Sequence, residues 1–279
     1  MKLLLAGTIK FSAKIFEYLI QHYEIVGIIS QPNRKLNRHK EVIETEVAQI
    51  AKQYNIKLFQ PEKISDIYEQ LAALNFDFLI TAAFGQFIPT KVLNLAKIAS
   101  INIHGSLLEK YRGAAPIQHS FLNYEKEMGI TLIYMTKEMD AGDMIAKASF
   151  QVEEEDTALE AYDKMANLAI QNIDSWLKGL YSKTISATVQ DVSKVSYAPK
   201  LSNQDSEITQ NMTQLEALAK IKALNNQPGA FLMFNKKRIK VFRATIKKIK
   251  TPLKVMFSDG YLYFYEYQYE GKKIVKHEI

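Results

Sequence analysis

An amide and an imidazole stand two positions apart in a β-branched stretch, where Asn102 and His104 alternate with isoleucines and Gly105 follows. Because side chains alternate between the faces of a strand, Asn102 and His104 point the same way. An asparagine can donate a hydrogen bond to a developing oxyanion, and a histidine can donate one or move a proton. The pair is therefore a candidate catalytic site, although a histidine at the end of a strand is more often a structural residue.

Two further loops carry candidate site residues. The run over 111–118 combines glycine, alanine and proline and opens a predicted helix, and small residues let the backbone approach a ligand closely. The run over 139–143 is an acidic turn that contains Asp140 and Asp143. Aspartates in such turns are commonly only turn formers, since their side chains cap their own backbone.

Several other kinds of site are not indicated. The sequence has no His-Glu-x-x-His, no G-x-S-x-G elbow and no P-loop, and Gly7 after the first predicted strand lacks the further glycines of a dinucleotide fingerprint. The five histidines are scattered without metal-ligand spacing, so no metal site is expected. The absence of cysteine excludes disulfides and thiolate nucleophiles, and it favours the cytosol.

The candidate residues need a scaffold, and the first two-thirds of the chain alternate strand-like with helix-like segments. Predicted strands lie over 2–6, 25–29, 57–59, 76–81, 98–104 and 130–135, and predicted helices over 11–21, 43–54, 64–74 and 157–180. This alternation predicts an α/β fold, a Rossmann-like, mostly parallel sheet with helices on both faces. Such open sheets bind ligands at the carboxyl ends of their strands, where Asn102 and His104 are expected.

The character of the sequence changes after about residue 185. The polar stretch 189–206 lacks periodicity and is interpreted as a linker between a catalytic domain over 1–188 and a second domain over 207–279. The second domain begins with a predicted helix and continues with four strand-like runs separated by turns, which predicts a small, OB-like β-barrel. Five tyrosines would share one face of its last strand if that strand were regular: Tyr261, Tyr263, Tyr265, Tyr267 and Tyr269.

Composition and charge narrow the class of protein. The chain has 279 residues, of which 47% are hydrophobic and 24% charged, as in globular proteins and unlike disordered or membrane-bundle chains. Residues 207–279 hold 14 lysines and arginines against six acidic residues, a balance of +8, while the net charge of the whole chain is +6. The basic end suggests a polyanionic partner. The short apolar run before Gly7 predicts a buried strand rather than a secretory signal, so a cytoplasmic protein is expected.

Eight short motifs, spread over nearly the whole chain, resemble the methionyl-tRNA formyltransferases, within the wider family that transfers a formyl group from 10-formyltetrahydrofolate. The motifs lie over 6–8, 31–34, 59–61, 101–108, 112–118, 139–143, 197–200 and 228–230. The pairing of Asn-x-His with a downstream aspartate is shared by folate formyltransferases and hydrolases generally. The Arg-Gly-Ala-Ala-Pro-Ile-Gln run at 112–118 and the basic C-terminal domain are more specific to enzymes that act on tRNA.

The resemblance implies roles for individual residues. It makes Asn102, His104 and Asp140 the catalytic set and leaves Asp143 as a turn former, with no metal required. It places 10-formyltetrahydrofolate, the formyl donor, on two loops whose implied binding residues are Phe84, Gly85, Gln86, Ile88, Ser106, Leu107, Leu108 and Glu109. Glu109 is a departure, because the family usually has a proline at this position.

The resemblance also implies a tRNA partner, the acceptor stem of initiator methionyl-tRNA, bound by a monomer. The implied tRNA-binding residues lie in a basic loop after the second strand and in the second domain: Arg34, Lys35, Arg38, Lys40, Lys236, Lys237, Arg238 and Lys240. Phosphate contacts from such residues give an affinity that falls steeply with salt. The bland alternative is an ordinary solvated loop and a basic surface that serves only solubility.

Other functions remain open on the sequence. A sugar-nucleotide or small-amine N-formyltransferase would use the same three catalytic residues, but it predicts neither the basic loop nor the basic second domain. A formyltetrahydrofolate hydrolase would release formate by attack of water. A non-catalytic RNA-binding module on the same scaffold would not need Asn102, His104 and Asp140 to converge.

Overall fold

The computed structural model describes residues 1–36, 41–225 and 227–278. Its contacts divide the chain into two compact units, each assembled from three segments. The first unit comprises Met1–Gly113, Gly129–Ser149 and Asp163–Tyr197, and the second comprises Ala114–Met128, Phe150–Tyr162 and Ala198–Ile279. None of the helices in the described residues is long and apolar enough to span a lipid bilayer.

A seven-stranded sheet organises the first unit. The strands up to residue 151 are β1 (Lys2–Gly7), β2 (Glu24–Ile29), β3 (Lys35–Leu36), β4 (Val42–Ile43), β5 (Leu58–Phe59), β6 (Phe78–Ala82), β7 (Ala99–His104), β8 (Glu127–Tyr134) and β9 (Met144–Gln151). The order in the sheet is β5-β2-β1-β6-β7-β8-β9, and β3 pairs only with β4. The pairs from β5 to β7 are parallel, whereas β7 and β8 are antiparallel. The predicted, mostly parallel sheet is confirmed.

The central strands are apolar because both of their faces are covered. Leu3, Leu4 and Leu5 on β1 are all fully buried, although consecutive side chains point to opposite faces of a sheet. The helices of the chain are α1 (Lys10–His22), α2 (Glu46–Gln53), α3 (Tyr68–Ala72), α4 (Thr90–Leu93), α5 (Pro116–Leu122), α6 (Ala158–Tyr181) and α7 (Gln214–Ala223). Trp176 on α6 is buried and packs in the core.

Two predicted helices differ in extent from those observed. The segment predicted as helical over 43–54 starts only at Glu46, because Thr45 caps α2 by accepting a hydrogen bond from the Ala48 amide. The segment predicted over 64–74 is a 3₁₀ turn over Ile64–Ile67 followed by the five-residue helix α3. Local capping and turn chemistry thus shortened both elements relative to their apolar periodicity.

The C-terminal part of the second unit is a five-stranded antiparallel sheet. Its strands are β10 (Ala230–Phe234), β11 (Lys237–Thr245), β12 (Lys254–Met256), β13 (Tyr261–Tyr269) and β14 (Val275–Lys276). They pair in the order β10-β11-β13-β12, with β14 also on β13. A capping box formed by Thr213 and Glu216 starts the preceding helix α7. This arrangement agrees with the small barrel-like domain predicted from the sequence.

The five tyrosines of β13 do not share one face, because the strand is irregular. Arg243 pairs with Glu266 while Ala244 pairs with Phe264, so Tyr265 is an extra residue at a bulge. Tyr265 is buried, as are Phe264 before it and Tyr267 after it, whereas Tyr261 is 42% exposed. The bulge shifts which side chains of β13 face the core, so Tyr265 and Tyr267 are buried in it.

Candidate active site

The strand β7 carries Asn102 and His104 as the sequence predicted. Ile101 and Ile103, which alternate with them, are buried on the opposite face of the sheet. His104 is the last residue of the strand and is only 5% exposed. The amide and the imidazole therefore lie together at the carboxyl end of a strand that is parallel to its neighbour β6.

Asp140 joins this pair from a loop 38 residues further along the chain. Its Oδ1 accepts a hydrogen bond from Asn102 Nδ2 at 3.2 Å, and its Oδ2 lies 3.4 Å from His104 Nδ1. The amide of Gly113 donates to the same Oδ2 at 2.9 Å. The three residues predicted as catalytic thus form one cluster, and the glycine of the 112–118 run completes it.

Both ring nitrogens of His104 have oxygen neighbours within the site. Its Nε2 lies 2.8 Å from the Tyr111 carbonyl oxygen, which can only accept, so Nε2 carries a hydrogen. Its Nδ1 faces the Asp140 carboxylate. The imidazole is therefore held between the Tyr111 carbonyl and the Asp140 carboxylate.

The orientation of the Asn102 amide is fixed by Thr81, a residue that the sequence did not single out. The buried Thr81 hydroxyl donates to Asn102 Oδ1 at 2.8 Å, so Nδ2 must face Asp140. An amide nitrogen carries two hydrogens, and Asp140 takes one. Among the residues that the structure describes, no hydrogen bond uses the other, which is therefore a donor that a substrate oxygen can take.

The predicted folate residues occupy two loops, and many of their side chains are committed to the protein. Phe84, Ile88 and Leu108 are buried in the core. Gln86 donates to the Pro61 carbonyl and accepts from the Ile64 amide. Ser106 is buried, and its hydroxyl donates to the Lys110 carbonyl. Gly85 has a φ of +76°, and Leu107 is half-buried. The last predicted residue is Glu109. A ligand on these loops would chiefly meet backbone groups.

Glu109, where the resemblance led us to expect proline, ties its loop to the segment 189–197. Its carboxylate accepts a hydrogen bond from the Asp191 amide at 2.8 Å. This bond is the largest cause that holds the pKa of Glu109 below its usual value, with Lys147 among the smaller contributors. Lys147 also donates to the Leu108 carbonyl. The replacement therefore adds a polar link at the edge of the predicted folate loop.

The predicted basic residues of the second domain lie on the hairpin that joins β10 to β11. Asn235 and Lys236 both have positive φ, which is the two-residue turn that suits a hairpin. Arg238 and Lys240 flank the buried Ile239, so they share the other face of β11. Arg238 lies over the Phe231 ring at 3.9 Å, and Lys237 is exposed.

The predicted basic loop of the first domain is described only in part. Arg34 forms an ion pair with Glu62 between exposed side chains. Lys35 belongs to β3, and its side chain is outside the described part of the structure. Arg38 and Lys40 lie outside the described residues, so their predicted contacts with tRNA stay predictions.

Two other cations of the second unit are paired with carboxylates. Arg243 contacts Glu160 and lies 3.5 Å from Glu266, and these side chains are mostly buried. Burial would raise the pKa of Glu160, but hydrogen bonds from Thr157 and Arg243 outweigh it and hold this pKa below its usual value. Lys247 pairs with Glu154 at 2.6 Å in an exposed contact.

Arg243→Ala is therefore expected to lower the free energy of unfolding by about 2 kcal/mol, because it leaves the largely buried carboxylate of Glu160 without its cation, while Glu266 keeps its ion pair with Lys276. Lys247→Ala is the matched control and should cost less than about 0.5 kcal/mol, since its ion pair is exposed. Urea unfolding of both variants measures the difference. Equal costs would show that the burial of the Arg243 cluster does not matter.

Comparisons with known proteins identify the family of the chain. A family model described as formyl transferase matches residues 1–177, and another described as formyl transferase, C-terminal domain, matches residues 200–278. The methionyl-tRNA formyltransferase of Mycoplasmopsis pulmonis is 48% identical over 277 residues, which are 99% of this chain and 96% of that protein. Its counterpart from Latilactobacillus sakei is 41% identical over 248 residues, 88% of this chain and 78% of that protein.

Solved structures of low sequence identity share the fold. The sugar 3N-formyl transferase WlaRD, crystallised with dTDP and 5-N-formyl-THF, has a TM-score of 0.69 and 20% identity, with 98% of this chain and 99% of that chain covered. A methionyl-tRNA formyltransferase from Clostridium thermocellum has a TM-score of 0.64 and 16% identity, with 88% and 94% covered. From the matched domains, and from a relative that is nearly half identical over nearly its whole length, we conclude that the chain belongs to the formyl transferase family.

Proposed function

We propose that this protein transfers the formyl group of 10-formyltetrahydrofolate to the α-amino group of initiator methionyl-tRNA, giving N-formylmethionyl-tRNA and tetrahydrofolate. The observation that carries the proposal is the convergence of Asn102 and His104 with Asp140. The names of the relatives that match over nearly all of the chain supply the acceptor. The basic second domain is consistent with a polyanionic partner.

Asn102 is suited to stabilise charge on the formyl oxygen. When the methionyl nitrogen bonds to the formyl carbon, negative charge develops on that oxygen, and the second N–H of Asn102 can donate to it. Thr81 and Asp140 hold the amide in this orientation before the reaction, so little reorganisation is needed. A preorganised oxyanion donor of this kind contributes roughly 3–4 kcal/mol in other enzymes.

His104 and Asp140 are suited to move protons. The attacking amine must lose a proton, and the folate nitrogen must gain one as its bond to the formyl carbon breaks. Asp140 accepts the amine proton, through a water molecule, while His104, whose Nδ1 faces Asp140, stabilises the developing charge. The same proton is then passed from Asp140 to the folate nitrogen as its bond to the formyl carbon breaks, so protons and electrons balance and no covalent enzyme intermediate is needed.

The formyl donor is proposed to lie along the loops 84–88 and 106–109. Their buried side chains keep the loop backbones in place next to β6 and β7, and the backbone groups then supply the polar contacts. The loops follow β6, which carries Thr81, and β7, which carries Asn102 and His104, and open α/β sheets bind their ligands at such carboxyl ends of strands.

The acceptor is proposed to bind by its phosphates to the hairpin residues Lys236, Lys237, Arg238 and Lys240. Replacing all four by alanine should raise the KM for methionyl-tRNA and make it less dependent on salt, by about 0.7–0.9 in log–log slope for each phosphate that is no longer neutralised. The KM for the folate should stay the same. Lys247→Ala is the control, because its charge is already paired with Glu154. An unchanged salt slope in the fourfold variant would remove these residues from the interface.

The two proposed domains have separate roles. We place catalysis in residues 1–188 and tRNA binding in residues 207–279, with 189–206 between these domains. The protein is proposed to act as a monomer in the cytoplasm and to take the acceptor stem of the tRNA. Size-exclusion chromatography with and without tRNA tests the stoichiometry.

Product analysis tests the proposed function. The protein is incubated with 10-formyltetrahydrofolate that carries a labelled formyl group, in the presence of methionyl-tRNA. The proposal predicts that the label appears in N-formylmethionine after the tRNA is deacylated. Label that appears only as formate would show a hydrolase instead and would overturn the proposed acceptor.

A further inference from the structure

Gln190 is a buried amide in the polar stretch 189–197, and it is not among the residues that the resemblance implied. Its exposed fraction is 5%, although the neighbouring Val189 and Val192 are 74% and 80% exposed. A polar side chain that is buried between exposed valines reverses the usual preference of these residue types. Gln190 is therefore held inside by specific contacts.

These contacts use the whole hydrogen-bonding capacity of the Gln190 amide. Its Oε1 accepts from Arg112 Nε at 3.0 Å and from Arg112 Nη2 at 2.8 Å. Its Nε2 donates to the Asp140 carbonyl at 2.8 Å and to the Gly142 carbonyl at 2.7 Å. Because the guanidinium can only donate and the two carbonyls can only accept, the amide has a single satisfactory orientation.

The turn that Gln190 holds is constrained from its other side. Asp140 has a φ of +52°, a backbone conformation that residues other than glycine adopt at a cost in free energy. A Cβ at Gly142 would lie 1.8 Å from the Tyr134 carbonyl oxygen, so the turn is pressed against β8. The two donors of Gln190 thus fix how far the turn stands from the Arg112 loop.

The same stretch of chain also holds the loop that contacts His104 and Asp140. Ser196 accepts a hydrogen bond on its Oγ from the Tyr111 amide at 3.0 Å and one on its carbonyl from the Arg112 amide at 2.9 Å. The Tyr111 carbonyl accepts from His104, and the next amide but one, that of Gly113, donates to Asp140. One segment therefore connects both loops on which the cluster depends.

We propose that Gln190 is a positioning residue for formyl transfer, which sets the Asp140 carboxylate against His104, Asn102 and Gly113 by bridging Arg112 to the turn 140–142. This inference rests on the proposed function only in assigning Asp140 to the reaction. Gln190 contacts none of the three catalytic side chains, so it acts through the backbone of Asp140. Its loss should lower kcat and leave the KM of the folate nearly unchanged, because misplacement of a reacting group by about 1 Å can cost two orders of magnitude.

Two substitutions separate a positioning role of Gln190 from a role that is limited to partnering Arg112. Gln190→Met keeps the size and removes all four hydrogen bonds, whereas Gln190→Glu keeps the acceptor for Arg112 and removes the donors to the turn. We expect kcat to fall about 10- to 100-fold in both variants. Gln53→Met, at the exposed end of α2, is the matched control and should retain wild-type kcat. Near-wild-type kcat in Gln190→Glu would overturn the proposal, since Gln190 would then serve only to partner Arg112.

A double substitution supplies a readout that a purely structural role would not move. In an Asp140→Asn background, Gln190→Met should lower kcat no more than about twofold further, because the group that it positions has already been disabled. If the double variant instead loses kcat by the product of the two single-variant factors, the proposal is overturned. If thermal unfolding shows that both Gln190 variants do not fold, Arg112→Lys replaces them, because it loses the paired donors to Gln190. It should lower kcat by the same factor, and by no more than about twofold in the Asp140→Asn background. All variants are assayed with whichever acceptor the wild type formylates, so a wrong acceptor and a wrong role for Gln190 give different results.

Discussion

Replacing Asp140 with asparagine is expected to lower kcat by about 10³-fold, with the protein still folded. The substitution keeps the shape of the side chain but removes the charge that faces His104 Nδ1 at 3.4 Å. It also removes the base that is proposed to take the proton of the attacking amine. Loss of an acid–base group costs about 10²–10⁴-fold in other enzymes, and loss of electrostatic stabilisation adds to it. Single-turnover formyl transfer at saturating substrates measures this effect on the chemical step.

Asp143 provides the control, since the same acidic turn carries it and the cluster does not include it. Asp143→Asn should change kcat less than about threefold, which is the range of an ordinary surface substitution on one turn. Comparable losses in both variants would mean that the turn as a whole, and not the Asp140 carboxylate, supports catalysis. The role assigned to Asp140 would then be wrong.

The second large effect concerns Asn102. Asn102→Ala should lower kcat by about 10²–10³-fold, because it removes the donor proposed for the developing oxyanion, while the KM of the folate changes little. Thr81→Val removes the hydroxyl that orients the amide and should lower kcat about tenfold, which is the cost of a looser donor. Steady-state kinetics of the two variants measure this graded series.

Asn102→Asp sharpens the same test. Its carboxylate would face Asp140 and would offer an acceptor where the substrate oxygen needs a donor. The decrease in kcat should therefore equal or exceed that of Asn102→Ala. Activity in Asn102→Asp close to that of the wild type would contradict a donor at this position. In that case, the oxyanion would have to be stabilised elsewhere in the site.

The scaffold and the placement of Asn102 and His104 were predictable because their signals are local. Alternation around Asn102 and His104 put them on one face of a strand, and the alternation of strands and helices predicted the parallel sheet. Asp140 could be assigned only through the family resemblance, since an aspartate in a glycine-containing turn has an ordinary structural explanation. The structure gives the missing step, which is the meeting of residues 38 positions apart.

The residues that orient the cluster could not be predicted in this way. Thr81 is one more β-branched residue in a buried strand, and Gln190 lies in a polar stretch that we interpreted as a linker. Both act through hydrogen bonds between residues distant in sequence, and such contacts leave no periodicity or short motif. The bulge at Tyr265 could not be predicted for a related reason. It depends on the pairing register between β11 and β13 and not on the sequence of β13 alone.

The Asn102–His104–Asp140 cluster is proposed to formylate an amine that tRNA presents. A competition assay tests it most directly, with 10-formyltetrahydrofolate as donor and methionyl-tRNA, an amino sugar nucleotide and water as competing acceptors. We predict that methionyl-tRNA takes nearly all of the formyl group and that its advantage in kcat/KM falls as salt is raised. Transfer mainly to the amino sugar, or release mainly as formate, would contradict the account and leave the basic hairpin without its proposed role.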